Sequence, residues 1–296
     1  MVASINGGND ERICRDHDIC VPPSRLRWGF LLCLALSVFL LLLATDLKTQ
    51  SPPEMHARVQ LVSLGSIHPA GPFWVGVLFQ LDEGWHIYWQ NPGDSGEPPR
   101  IQWRLPSDWR AGEIRWPRPT LLGKGSVRDY GYEGQVVLLT AIQPQRPVTS
   151  ADEIAATVRY VVCREICIPG KAELTLSVPV SKVPKSERSE WIPVFRNSLS
   201  QLPEQLPREW KVSAISKDAI FVLTFRGGTA KEMRFFPLQP GVIENAAPQP
   251  LDSDENGLRL TLKKSEQLTK PVSTLRGVIV LDQDRAYEIA VPVRGS

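Results

Sequence analysis

From residue 57 to residue 180 the chain runs in short stretches where apolar and polar side chains alternate, broken by Gly, Pro, Asn and Asp. ARVQLVSL (57–64), FWVGVLFQL (73–81), WHIYW (85–89), IQWRL (101–105), AGEIRWP (111–117), QVVLLTAI (135–142), ATVRYVV (156–162) and AELTLSVPV (172–180) read this way. A two-residue period turns one face of a strand inward and the other outward. Strand signals at this spacing, in a chain with 26 prolines, predict an all-β sandwich and not alternating β and α units. In WHIYW, Trp85, Ile87 and Trp89 fall on one side, and His86 and Tyr88 on the other. Alternation makes the two tryptophans core residues. NPGDSGEPP (91–99) is a dense turn signal that no helix tolerates. GKGSVRDYGYEG (123–134) reads as a long Gly-rich loop, from which Tyr130 and Tyr132 could shield a nearby disulfide or stack on a partner.

Near residue 181 the texture changes. SKVPKSERSEWIPVFRNSLSQLPEQLP is polar and Pro-interrupted, and the stretch 182–208 reads as a linker. Its middle, Trp191 to Leu202, places Trp191, Val194, Phe195, Leu199 and Leu202 on one face of a short helix. Strand patterns return at 211–215, 219–226, 232–238, 258–264, 274–282 and 287–293, so 209–296 is expected to be a second, smaller β-domain. The first, from 55 to 181, is the sandwich.

One stretch is not globular in character. WGFLLCLALSVFLLLLA (28–44) has no charged residue, with Arg25 and Arg27 before it and Asp46 and Lys48 after it. It is expected to be a transmembrane signal anchor over 28–45, following a cytoplasmic leader (1–27) and preceding a polar linker (46–54). Arginines before the span place its start inside, so the main body faces the exported, periplasmic side of the inner membrane. A formal charge of only +2 gives no reason to expect nucleic acid.

An exported body changes how cysteine is read, because disulfides persist there. Of five cysteines, Cys33 lies in the apolar run, and Cys14 and Cys20 flank His17 in the leader without a zinc-like spacing. Only Cys163 and Cys167, in VVCREICIPG (161–170), belong to the body. Strand signals on both sides make REICIPG a hairpin tip or short loop, where residues four apart come close enough to bond. Closing so short a ring stabilises a fold by about 2 kcal/mol, against roughly 4.7 for a ring near 100 residues. That weakens a purely structural reading and favours exchange, since exposed disulfides are the ones that trade electrons. Arg164 beside Cys163 favours its thiolate and Glu165 opposes it, so the sequence does not say which sulfur attacks, and Cys163 is the first candidate. A Cu(I) site built from the two thiolates and His86 is a third reading. No G-x-S-x-G, H-E-x-x-H, P-loop or G-x-G-x-x-G occurs, and no cofactor is expected.

Longer segments carry a resemblance. GWHIYWQNPGDSGEPPRIQWRLPSDW, IRWPRPT, YGYEGQVVLLTAI and VVCREICIPGKAELTLSVPV together resemble the exported amino-terminal region of DsbD-type disulfide reductases, closer to the ScsB-like variant tied to copper tolerance. FFPLQPGVIENAAPQ (235–249) resembles the second part of that region. The resemblance implies an immunoglobulin-like sandwich in which Cys163 and Cys167 are the redox pair. It also implies electrons arriving from a membrane or thioredoxin-like donor and leaving to exported disulfide-bearing proteins. The sequence to Ser296 holds no later membrane bundle and no thioredoxin-like domain. A protein-disulfide reductase component of this kind is expected to depend on a separate membrane thiol reductase or thioredoxin-like protein. The alternative is a non-catalytic binding or assembly module in cytochrome c maturation or copper tolerance.

Overall fold

The computed structural model describes residues 55–63, 71–148, 152–180, 191–255 and 257–295. The expected span at 28–45, the leader with Cys14 and Cys20, and Cys33 all lie outside the described residues. Among the described residues no helix is long and apolar enough to cross a membrane.

The first part is all strand. In chain order it runs β1 (Ala57–Ser63), β2 (Phe73–Leu81), β3 (His86–Gly93), β4 (Arg100–Arg104), β5 (Trp109–Arg115), β6 (Thr120–Leu122), β7 (Asp129–Glu133), β8 (Gln135–Pro144), β9 (Asp152–Cys163) and β10 (Cys167–Val178). One sheet has the order β1-β2-β8-β5, and the facing sheet the order β10-β9-β3-β7-β6. β3 and β4 share one edge of β9: β4 lies along Ala155–Arg159, and β3 meets β9 at Cys163. Between the sheets, the inward residues Ile154, Ala156, Val158, Tyr160 and Val162 of β9 join one core with Val75, Val77, Phe79, Val136 and Leu138. Trp85, Ile87 and Trp89 are buried in that core, on the side that alternation assigned them.

The segment 123–134 departs from the expected loop. Its second half is β7, paired with both β3 and β6, and β6 itself carried no strand signal. In β7 the residues Tyr130 and Tyr132 are core members, while Gly131 packs its bare Cα against β3. A run so rich in Gly has weak strand propensity, and tertiary pairing overrides it.

A helix, α1 (Ile192–Ser200), lies within the span where helical periodicity was read. Pro193 sits in its first turn, where a missing N–H costs nothing. The helix does not float between domains: Phe195 is fully buried against Val62, Leu78, Val137 and Leu139 on the outer face of the four-stranded sheet.

The remaining strands are β11 (Glu204–Gln205), β12 (Lys211–Lys217), β13 (Ile220–Arg226), β14 (Met233–Pro237), β15 (Leu251–Asp254), β16 (Gly257–Lys263), β17 (Thr274–Leu281) and β18 (Arg285–Gly295). They form one sheet of order β14-β17-β18-β12-β13-β16-β15, with β11 against β18. Its core gathers Phe221, Leu223, Phe225, Phe235, Leu260, Leu262 and Ile279. The two cores belong to one compact unit, Met55–Ser296. Phe236, Val278 and Ala286 of the second part are members of the first part's core. Phe236 meets Tyr130 edge-on at 5.1 Å and Trp89 at 6.4 Å.

Candidate functional site: a bonded cysteine pair over a polar strand face

β9 and β10 form a long antiparallel hairpin whose tip is Arg164–Ile166, closed by Arg164 N–H donating to Ile166 O at 3.1 Å. The strands run further toward the tip than alternation alone indicated, so that CIPG lies within β10. Pro169 is tolerated there because β10 is an edge strand. Gly170 is required because a Cβ would fall 2.3 Å from the Tyr160 ring.

Cys163 and Cys167 are direct partners in this ladder, with Cα atoms 4.2 Å apart, and they are joined as a disulfide. Side chains directly opposite in an antiparallel pair share a face. That face points away from the sandwich core, since Val162 next in sequence points into it. The two sulfurs differ in surroundings. Cys163 is 2% exposed, whereas Cys167 is exposed at the hairpin tip.

The register across the sheet then brings in β3 and β7. Cys163 is opposite His86, and His86 is opposite Glu133, so the row reads Cys167–Cys163–His86–Glu133. His86 is 9% exposed, and its Nε2 has no hydrogen-bond partner. Burial lowers its pKa from the ordinary 6.5, and the carboxylates of Asp129 and Glu133 oppose that shift.

Two residues on, Tyr88 is fully buried on the same face, edge-on to His86 at 5.3 Å. Its hydroxyl is 3.7 Å from Cys167 Sγ and 3.5 Å from Ser95 Oγ. Ser95 is held in turn by Asp129: its N–H donates at 2.9 Å and its hydroxyl at 2.8 Å. Gly96, at φ +72°, packs flat on the Tyr88 ring, where a Cβ would fall 2.0 Å from Cζ. The turn 94–96 is therefore a lid over Tyr88, which is why an outward-facing tyrosine is buried. Burial raises the Tyr88 phenol above its ordinary value, with the Ser95 hydrogen bond opposing, so it stays a proton donor at neutral pH.

Tyr130 and Tyr132 do not shield the disulfide. The Tyr130 hydroxyl donates to Asn245 Oδ1 and that of Tyr132 to Pro117 O, each at 2.7 Å in buried surroundings. The tyrosine beside the sulfur is Tyr88. The Arg164 guanidinium sits 5.5 Å above the Trp85 ring, on which His56 also stacks at 3.8 Å. For the Cu(I) reading, the ladder does place His86 beside Cys163, yet among the described residues no group of three or more His, Cys, Asp or Glu is arranged to hold a metal ion.

An immunoglobulin-like β-sandwich with a cysteine pair at one hairpin tip defines the class. Residues 56–179 match the model of the family described as "Thiol:disulfide interchange protein DsbD, N-terminal". The N-terminal periplasmic domain of ScsB from Proteus mirabilis has a similar fold, with a TM-score of 0.62 at 17% identity over 82% of this chain and 96% of that one. The Neisseria meningitidis DsbD n-terminal domain in the reduced form matches 46% of this chain and 95% of its own at 17% identity, with a TM-score of 0.29. A comparison with curated proteins matches none of them. The resemblance is thus to the exported amino-terminal region of DsbD- and ScsB-type proteins. The matched family and the bonded pair together support a thiol–disulfide interchange module.

Proposed function

We propose that this protein passes electrons between a thiol donor and exported disulfide-bearing proteins through Cys163 and Cys167, from a periplasmic body anchored by residues 28–45. The observation that carries this reading is the unequal exposure of two bonded sulfurs at a hairpin tip. A donor thiolate attacks the accessible Cys167 Sγ, the internal S–S bond breaks, and Cys163 Sγ leaves with the bonding pair. A second donor thiolate then completes reduction of the pair and leaves the donor oxidised. In the outgoing half, the Cys167 thiolate attacks a client disulfide and forms a mixed disulfide. Cys163 attacks Cys167 Sγ, the internal bond re-forms, and the client thiolate departs with two electrons gained overall. Exposure thus reverses the roles that Arg164 pointed to: Cys167 attacks and Cys163 resolves. Ile166, 65% exposed at the tip, gives a partner an apolar foothold beside the sulfur.

The donor in this reading is a separate membrane thiol reductase or a thioredoxin-like protein. The test is a titration of the full-length chain against glutathione, with the state of the Cys163–Cys167 pair read by mass spectrometry. A potential above about −300 mV is expected, since inert structural disulfides lie below it. A lower value would overturn the proposal. In cells, Cys163→Ser is expected to accumulate mixed disulfides on Cys167. A Cys163→Ser, Cys167→Ser double variant with undiminished biological activity would instead establish a binding or assembly module.

A further inference from the structure

We infer that His86 is the acid–base group of the buried sulfur of Cys163, accepting its proton when it attacks and returning one when it leaves. This rests on the exchange reading above and concerns one step of it.

The need comes first. Cys163 is 2% exposed, so a bare thiolate there lacks the water that would solvate it. An unpaired buried charge is costly enough that such a group sheds it when a proton is within reach. Yet Cys163 must become a nucleophile to resolve the mixed disulfide, and it must leave as a thiolate when Cys167 is attacked. Cys167, exposed at the tip, has solvent for both purposes.

The ladder answers the need. His86 is the residue directly opposite Cys163 on β3, on the same face of the sheet and itself buried. Its Nε2 has no hydrogen-bond partner while the disulfide is closed. A buried polar atom without a partner is uncommon in a folded protein and calls for a reason. Reduction offers a reason: the thiol or thiolate of Cys163, at the opposite ladder position, is a stronger partner than a disulfide sulfur. The second polar residue of this face, Tyr88, reaches Cys167, so β3 supplies one group for each sulfur.

The charges around His86 suit the role. On β7, Glu133 is its ladder partner and Asp129 also acts on it; on β3 its neighbour is the neutral Tyr88 phenol. From the hairpin tip the nearby cation is Arg164, which lies over Trp85. Burial keeps the imidazole neutral at neutral pH, ready to accept a proton, and the two carboxylates stabilise the imidazolium that results. The step balances. Cys163–SH, neutral His86 and the Cys167–client mixed disulfide give the internal disulfide, imidazolium and the client thiolate. The client thiolate takes its proton from water, and His86 releases its own to water.

The test uses the full-length chain with Cys14→Ser, Cys20→Ser and Cys33→Ala, reduced and mixed rapidly with 5,5′-dithiobis(2-nitrobenzoate). The first thionitrobenzoate released reports attack by Cys167, and the second reports resolution by Cys163. The second phase is expected to rise with pH through a midpoint below the ordinary imidazole value. In His86→Gln it slows by at least about tenfold at pH 7 and loses that midpoint, while the first phase changes by less than about threefold; a general base contributes roughly 100-fold or more. An unchanged second phase, or equal slowing of both phases, overturns the inference. Should His86→Gln not fold, Glu133→Gln decides, since that side chain is exposed. A second-phase midpoint moved to lower pH supports the inference, and an unmoved one overturns it. Absence of any fast first phase in the parent chain would be a failure of the exchange reading itself.

Discussion

At the scale of single residues, the site is a matter of which side chains face away from the core and are buried nonetheless. His86 and Tyr88 alternate outward from the tryptophans, as the strand period required, yet both are buried, Tyr88 beneath the turn 94–96 and His86 beside Cys163 of the hairpin. That enclosure has a measurable consequence at His86. In the unfolded chain its imidazole binds a proton near pH 6.5; in the fold, burial withholds the proton until a lower pH. Between those two values the unfolded state binds more protons. Stability is therefore fully present above about pH 6.5 and falls as pH drops toward the folded value. Urea unfolding at a series of pH values is expected to show this decline in the wild type and a flatter profile in His86→Gln. The two cysteines were legible as a pair because no other cysteine shares their region, and Trp85 and Trp89 as core because of their period. What was not legible was the partner of each sulfur. His86 and Cys163 are 77 positions apart (163 − 86), and only the register of β3 on β9 makes them neighbours. A single-residue slip would have turned every one of these side chains to the other face.

At the scale of elements, the hairpin of β9 and β10 is what makes the bond reversible at little cost to the fold. Its register from Cys163–Cys167 to Asp152–Val178 is continuous. Twelve paired positions hold the tip closed with or without the disulfide. The bond closes a very short ring, so its removal returns only about 2 kcal/mol of chain entropy to the unfolded state. The Cys163→Ser, Cys167→Ser variant is accordingly expected to lose about 2 kcal/mol in denaturant unfolding with an unchanged m-value. A loss beyond about 4 kcal/mol would mean the bond is a staple after all. α1 behaves differently. Its fully buried Phe195 closes a small core on the back of the four-stranded sheet. Phe195→Ala is expected to cost about 3–5 kcal/mol, read in the same experiment, because helix and sheet can collapse onto the cavity only partly. The helical period of Trp191–Leu202 was visible in the sequence, but not what it packs on. β6 and β7 were missed for a related reason. Their Gly-rich, short segments gain their strand geometry from β3 and not from their own side chains.

At the scale of the whole molecule, the second β-sheet is joined to the redox face through the same turn that covers Tyr88. Asn245 accepts from the Tyr130 hydroxyl and donates from Nδ2 to Asp94 Oδ1, both at 2.7 Å. Asp94 also accepts from Arg128 N–H, and the next residue, Ser95, is tied to Asp129. Asn91 donates to Pro237 O at 2.7 Å, at the other end of the turn. NPGDSG and FFPLQPGVIEN, two segments that carry the family resemblance separately, are thus the two sides of one seam. That explains why each is so distinctive in sequence, a fact no local propensity accounts for. It also predicts a long-range effect. Asn245→Ala leaves the buried Tyr130 hydroxyl without its acceptor and frees one side of the turn. A buried donor so orphaned costs about 1–3 kcal/mol. The larger consequence falls on the lid: amide hydrogen exchange in 93–96 is expected to speed up by tenfold or more. Strands β9 and β10 should keep their protection, because their ladder does not touch the seam. If the turn is as protected in Asn245→Ala as in the wild type, the second sheet is merely attached to the first. If exchange rises there and the Tyr88 ring loosens with it, the second sheet is the fixed backing against which the redox face keeps its shape.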